Sequence, residues 1–297
     1  MSDAPDIKFP LSVELDGDAT HPYVVVDVFT QTPLEGNQLA VFTDGRAFES
    51  AEMQSVAREL NLAETVFVLP AVGDGDLRVR IFTPRIELPF AGHPVLGTAF
   101  VVASALGRDT VTLETDSGLV TVEVDRSDRG MGFGRFTRSA PASEPFESAD
   151  ELLSALGVQR SLLPVEGYLN GPRHVYVALP DEEAVAAVNP NFGALAKLPV
   201  GVNCFAGQGR CWTTRMFGVA IGVPEDAATG SAAGPLAVHL ARHGQIAVEE
   251  LIEIHQGASI GRPSTLFARV NGTAGSITTV EVAGSAVLVA TGQYRVR

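Results

Sequence analysis

Two segments of the chain place glycine beside polar residues, immediately before apolar stretches that are typical of helices. They read Ala91-Gly92-His93 and Thr229-Gly230-Ser231. The first amides of a helix lack partners within the helix, and the peptide dipoles add partial positive charge, so a helix start can bind a carboxylate. Glycine lets a ligand approach the backbone closely. The pattern is compatible with an anion site, but the residues alone favour ordinary helix starts.

Two carboxylates near these segments are candidates for proton transfer, the work of a general acid/base. Glu64 falls at the junction between a predicted helix and a strand that begins at Thr65, where rigid elements could hold it toward a cleft. Asp226 lies shortly before the second helix start. Position alone favours a solvated loop residue for Glu64, and it leaves Asp226 open as a helix cap or a second carboxylate of the site.

Other kinds of site are disfavoured by the residue patterns. His239 and His243 are four residues apart, but the segment lacks the glutamate of the zinc-protease motif, so we expect surface or packing residues and no metal. The stretch from Thr229 to Gly234 lacks a Gly-x-Ser-x-Gly nucleophile elbow. Neither a P-loop nor a dinucleotide fingerprint occurs. The sequence therefore predicts no cofactor.

The elements that must position these residues mix strands and helices. Apolar residues at helical spacing from Met53 to Leu60 predict a helix with Ser50 as its N-cap, and Gly107 suits the end of a second helix. Each half combines strands with one well-marked helix, an α+β pattern. Strands are expected at 23–28, 39–42, 65–69, 77–83, twice within 110–124, and at 175–179, 211–219, 252–254, 266–270, 276–282 and 286–290.

The two halves of the chain also resemble each other. When Gly92 is aligned with Gly230, Ala99 falls on Ala237. The Arg-x-Phe segments at 80–82 and 215–217 match only in a slightly different register, because the loop that follows the second is longer. Matches this short also arise by chance, so the residues alone leave duplication open.

Length and charge bound the remaining possibilities. The 297 residues suffice for two domains of about 150 residues each. A net charge of -14 would repel nucleic acid and anionic membranes, which favours a small-molecule substrate. With only two cysteines, no signal-peptide pattern and no apolar run of about 18 residues, we expect a cytoplasmic protein without disulfides or membrane spans, which could form a homodimer.

Six segments taken together carry a specific resemblance, although each alone is weak. They are Pro33-Leu-Glu-Gly-Asn37, Asn61-Leu-Ala-Glu-Thr-Val-Phe67, Arg80-Ile-Phe-Thr-Pro84, Glu87-Leu-Pro-Phe-Ala-Gly-His-Pro94, Glu225-Asp-Ala-Ala-Thr-Gly-Ser-Ala232 and Gln256-Gly-x-x-x-Gly-Arg-Pro-Ser264. In this order they resemble the PhzF family, the phenazine-biosynthesis isomerases related in fold to diaminopimelate epimerase. The resemblance covers nearly everything from Tyr23 to the C-terminus.

The resemblance implies two similar domains, each a mixed β-barrel-like sheet around a central helix, with the active site in the cleft between them. The expected parts are an N-terminal extension at 1–20, a first domain at 21–127 and a second at 128–287, with a strand near 288–297 that could return to the first. The resemblance assigns catalysis to Glu64, His93 and Asp226, and substrate binding to Asn37, Gly92, Gly230 and Ser231.

The implied activity is cofactor-independent proton transfer on a small, carboxylated, unsaturated cyclic amino acid-like metabolite in antibiotic or phenazine-type metabolism. In the phenazine enzyme the substrate is trans-2,3-dihydro-3-hydroxyanthranilate. A racemase or epimerase of an amino acid-like substrate, and a non-catalytic small-molecule binding protein of the same fold, remain alternatives.

Two departures from the family pattern bear on the mechanism. The epimerase relatives carry cysteine at each helix start, where this chain has Ala91 and Thr229, so a two-thiol mechanism is excluded. Gln38 replaces the proline that usually follows the asparagine of the first loop. This replacement leaves the identity of the substrate open.

Overall fold

The computed structural model describes residues 20–126, 130–273 and 275–296. Apart from Thr20, the N-terminal extension expected at 1–20 lies outside the described residues. No helix among the described residues combines the length and the apolar character needed to cross a membrane.

Eight strands close into a barrel in the first lobe. The elements are β1 (Thr20–Val28), β2 (Asn37–Phe42), α1 (Ser50–Leu60), β3 (Glu64–Pro70), β4 (Leu77–Phe82), β5 (Glu87–Leu88), α2 (Gly92–Leu106), β6 (Thr110–Thr115), β7 (Gly118–Arg126) and β8 (Met131–Ser139), together with the distant β17 (Ser276–Arg295). The ring runs β1, β2, β3, β4, β6, β7, β8, β17 and back to β1. Helix α2 is apolar on nearly all sides and is buried inside, since such a helix has no face for water.

The second lobe repeats this plan around another buried helix. Its elements are β9 (Ser143–Pro145), α3 (Ala149–Leu156), β10 (Glu166–Leu169), β11 (Arg173–Ala178), α4 (Glu182–Ala187), α5 (Phe192–Leu195), β12 (Gly201–Gln208), β13 (Cys211–Gly218), β14 (Val223–Asp226), α6 (Gly230–Arg242), β15 (Ile252–Gln256) and β16 (Ser264–Thr273). Strands β9 to β13, then β15, β16, β17 and β8, form a continuous sheet around α6.

The repeat extends to strand order and register. Strand β2 runs parallel to β3 as β11 runs parallel to β12, and β4 is parallel to β6 as β13 is to β15. Thr65 pairs with Phe82 in the first lobe, and Val202 pairs with Phe217 in the second. The predicted fold class, two similar barrel-like domains around central helices, is confirmed.

Strands β8 and β17 belong to both lobes. Strand β17 pairs with β16 through its first half, with β8 through its middle and with β1 through its last residues. No single residue therefore separates the lobes, and the domain bounds expected from the sequence stay a proposal.

Several local predictions were wrong in detail. Ser50 is the first helical residue of α1, and the N-cap is Glu49, whose backbone N–H is bound by the Glu52 carboxylate. The two strands expected at 276–282 and 286–290 are one continuous strand, because Gly284 continues the pairing with β8. Strands β5, β8, β9, β10, β12 and β14 were missed.

Candidate active site

The starts of α2 and α6 meet at the junction of the lobes. A Cβ added to Gly92 would lie 2.6 Å from the carbonyl carbon of Gly230 and 2.7 Å from the amide nitrogen of Ser231. Contacts this short leave no room for a side chain, so glycine is required here by the approach of two backbones. The two predicted helix starts are thus side by side, which brings the amide ends of both helices together.

Glu64 and His93 face each other beside this contact. Glu64 is the first residue of β3, His93 is the second of α2, and both are buried. His93 Nε2 lies 3.2 Å from Glu64 Oε2, but the angles are not those of a hydrogen bond. Within the described part of the chain neither atom has another partner, and buried polar atoms left in this state are rare outside functional sites.

Asn37 connects this pair to the second lobe. Its Nδ2 donates to Asp226 Oδ1 at 2.7 Å and to the carbonyl oxygen of Ala228 at 2.8 Å. Since an amide group has only two hydrogens, none remains for His93 Nδ1, which lies 3.2 Å from the same nitrogen. Asn37 thus connects the start of β2 to the segment that precedes α6.

Asp226 is held from its other side by two residues to which sequence reasoning assigned no role. Thr229 donates its hydroxyl proton to Asp226 Oδ2 at 2.6 Å. Gln256 Nε2 donates to the Asp226 carbonyl oxygen and to Thr229 Oγ1, both at 2.9 Å, while Gln256 Oε1 accepts from the Thr229 amide at 3.2 Å. The only sequence signal for Gln256 was its place at the head of the sixth family segment.

Burial controls the charges of the three titrating groups. Removal from water, and then the nearby charge of Asp226, raise the pKa of Glu64 well above its ordinary value. Burial raises the pKa of Asp226 to about 6 against the opposing hydrogen bonds from Thr229 and Asn37. Burial lowers the pKa of His93 to about 3, so its imidazole is neutral at neutral pH. The cluster therefore combines two carboxyl groups of raised pKa with a neutral imidazole.

A pocket of about 220 Å³ opens next to Asn37 and Asp226. Gln38 and Asn61 line it from the first lobe, and Arg262 lines it from the second. The pocket reaches Asn37 and Asp226 of the buried cluster, and Gln38 forms part of its wall.

Arg262 also fixes the loop that presents Asn37. Its guanidinium donates to the carbonyl oxygens of Leu34, Glu35 and Gly36 at 2.7 to 2.9 Å, and to Asp27 Oδ1 at 2.6 Å. Because Arg262 belongs to the second lobe, these bonds anchor the first loop across the junction.

Ser231, the second residue of α6, is buried at the same junction. Its Oγ lies 3.0 Å from Nε2 of the buried His174, and its carbonyl oxygen accepts from Asn170 Nδ2 at 2.9 Å. All seven predicted site residues therefore lie at or next to the contact between the two helix starts, and their roles remain predictions.

His239 and His243 form a separate cluster at the other end of α6. One ring nitrogen of each histidine and one carboxylate oxygen of Glu166 lie within 4.8 Å of one another. The sequence did not indicate that these three residues meet. The Glu166 carboxylate also accepts from the Tyr168 hydroxyl at 2.9 Å and lies 3.6 Å from Arg242. We interpret the cluster as a hydrogen-bonded anchor between α6 and β10.

Comparison with known proteins places this geometry in a family. The model of the family described as PhzC-PhzF, phenazine biosynthesis-like protein, matches residues 26–292. A trans-2,3-dihydro-3-hydroxyanthranilate isomerase from Pseudomonas aeruginosa is 49% identical over 274 residues, which cover 92% of this chain and 99% of that protein.

Solved structures agree with this result. A predicted epimerase from Pseudomonas aeruginosa superimposes with a TM-score of 0.80 at 31% identity, covering 93% of this chain and 100% of that one. A PhzF-family protein from Bacillus anthracis, at 23% identity, shares the fold with a TM-score of 0.81 over 93% of this chain and 99% of its own. The predicted isomerase class is confirmed, and the chain belongs to the PhzF family of phenazine biosynthesis-like proteins.

Proposed function

We propose that the chain isomerises trans-2,3-dihydro-3-hydroxyanthranilate, or a close analogue, by moving one proton with Glu64. The observation that carries the proposal is the placement of the Glu64 carboxyl: it is buried, 3.2 Å from His93 Nε2, beside two helix starts. The identity of 49% to an isomerase named for this substrate supports the choice of substrate.

The substrate matches the groups around the cluster. It carries a carboxylate, an amine and a hydroxyl on a partly reduced ring. The amide ends at Gly92 and Gly230 suit the carboxylate, and the carboxylate of Asp226 suits the amine or the hydroxyl. His93, being neutral, can exchange a hydrogen bond with Glu64 or with the substrate without bringing in a charge.

In the proposed step, ionised Glu64 removes a proton from an activated ring carbon. The electron pair moves through the conjugated system, and the proton returns to another ring carbon, so no atom is gained or lost. A carboxyl with a raised pKa is a stronger base when ionised, and it holds the proton until it is returned. Donors at the helix starts stabilise the charge that develops on the conjugated carboxylate.

We also propose a cytoplasmic location, a role in phenazine-type metabolism and a homodimeric assembly. The net charge of -14 supports a small-molecule partner over nucleic acid.

The test compares wild type with Glu64→Gln on this substrate, followed by NMR in D₂O. We expect turnover to fall by at least about 10²-fold in the variant, because an amide cannot accept the proton. Glu59→Gln, at an exposed position of α1, is the matched control and should behave as wild type. Exchange at one carbon without movement of a double bond would indicate an epimerase instead, and binding without any exchange would indicate a binding protein.

A further inference from the structure

The position in the second barrel that corresponds to Glu64 is occupied by a glycine, Gly201. Gly201 begins β12 as Glu64 begins β3, and its partner on the parallel strand is His174, where Glu64 has Leu39. A Cβ at Gly201 would lie 2.7 Å from His174 Nδ1. The missing side chain therefore leaves the room that the imidazole fills.

His174 contacts the residue that corresponds to His93. The alignment of Gly92 with Gly230 places His93 on Ser231, whose Oγ lies 3.0 Å from His174 Nε2. His174 is fully buried, and burial lowers its pKa to about 3. The ring is thus neutral, and one of its nitrogens carries an N–H while the other carries a lone pair. The nitrogen that faces Ser231 is therefore either a donor or an acceptor, and not both.

The surroundings of His174 favour one tautomer. Asn203 Nδ2, a donor, lies 3.5 Å from His174 Nδ1. Both hydrogens of that amide are taken by the carbonyl oxygens of Val175 and Gly201 at 3.3 Å, so His174 Nδ1 receives no hydrogen bond from it. A proton on Nδ1 would still face this donor group, which favours a lone pair there and the ring proton on Nε2.

We propose that His174 is a positioning residue: its Nε2–H donates to Ser231 Oγ, which frees the Ser231 hydroxyl proton for the substrate carboxylate. A hydroxyl has one proton, so a serine that donated to the imidazole could not also donate to an anion. The second barrel would then supply a donor for the anion where the first supplies an acid/base. This inference rests on the proposed function, because the anion is the carboxylate of the proposed substrate.

The test uses two replacements of His174 in the full chain. His174→Leu fills the space without a donor, and we expect KM to rise about tenfold or more with kcat less affected, the size expected for a hydrogen bond to a charged group. His174→Gln places an amide N–H near the position of Nε2 and should restore most of the loss. Ser231→Ala should raise KM similarly, and adding His174→Leu to it should have little further effect, since the two act through one bond.

Three outcomes would overturn the inference. They are additive effects of the two substitutions, a normal KM in a folded His174→Leu protein, and a glutamine variant no better than leucine. If the leucine variant fails to fold, His174→Asn replaces it, because that amide reaches the position of Nδ1 and not of Nε2.

Imidazole ¹⁵N NMR of the wild type provides a test that needs no substrate. A proton on His174 Nε2 supports the inference, and a proton on Nδ1 contradicts it. This result stands even if the chain fails to turn over the substrate, which would contradict the proposed function alone.

Discussion

The first barrel carries Glu64 beside His93, and the second carries Gly201 with His174 beside Ser231. A second difference lies just before the helices, where the alignment of the two helix starts places Leu88 opposite Asp226. The first lobe thus contributes a buried carboxyl beside an imidazole, and the second contributes a carboxyl and a hydroxyl. Equivalent positions of a repeated backbone can therefore carry different groups, and the buried cluster is drawn from both lobes.

The two lobes share an ion pair between an arginine and a glutamate. Arg80 forms a two-bonded ion pair with Glu87 in the first lobe, and Arg215 forms one with Glu225 in the second. Each guanidinium also lies about 5 Å from a phenylalanine ring two residues on, Phe82 or Phe217. These residues hold the short strand before each central helix, a structural task that both lobes need.

The largest difference that we predict concerns these arginines. Nη1 of Arg215 also lies 2.7 to 3.3 Å from three backbone carbonyl oxygens, and the Arg215 side chain is 11% exposed against 18% for Arg80. Arg215→Leu should lower the free energy of unfolding by about 3 kcal/mol or more, since it leaves a buried carboxylate unpaired. Arg80→Leu should cost about 1 kcal/mol, because Glu87 is more exposed. Denaturant unfolding measures both, and equal losses would mean that the pairs are equivalent.

The glycines at the helix contact should differ as well. A Cβ at Gly92 would meet backbone at 2.6 Å, whereas one at Gly230 would meet Phe29 and Gly92 at 3.0 to 3.1 Å. We expect Gly92→Ala to destabilise by about 1–3 kcal/mol and Gly230→Ala by less. Gly275→Ala, which meets nothing within 4 Å, is the control for thermal unfolding. If Gly92→Ala left the free energy of unfolding unchanged, the helix starts would be able to separate freely.

The smallest predicted effect is electrostatic and tests the contrast between Leu88 and Asp226. The Asp226 charge helps to raise the pKa of Glu64, so Asp226→Asn should lower that pKa. Ionised Glu64 would then be present at lower pH, and the titration should move to lower pH. Carboxyl ¹³C NMR of glutamate-labelled protein can follow this without turnover. Asp44→Asn, at a surface pair with Arg46, should leave the titration unchanged, and an equal shift there would remove Asp226 as the cause.

Much of the site was predictable because glycines, carboxylates and helix patterns are local features. The two central helices and Glu64 at the start of β3 follow from short stretches of sequence. The contact of Gln256 with Thr229 depends on how β15 packs against the start of α6, and that of His174 with Ser231 depends on how β11 packs against the same helix. Strand β12 was missed because its first six residues are all buried and show no alternation of apolar and polar residues. Family resemblance supplied the roles, which periodicity alone could not.

The shared strand β17 has a consequence for how the protein folds and melts. Its 20 residues pair with β1, β8 and β16, so both barrels need the same strand to complete their hydrogen bonding. The pairing of Thr20 with Arg295 spans almost the entire described chain, and such long-range contacts slow folding. Detaching β17 would open the two sheets simultaneously. We therefore expect the two lobes to unfold together as one cooperative unit.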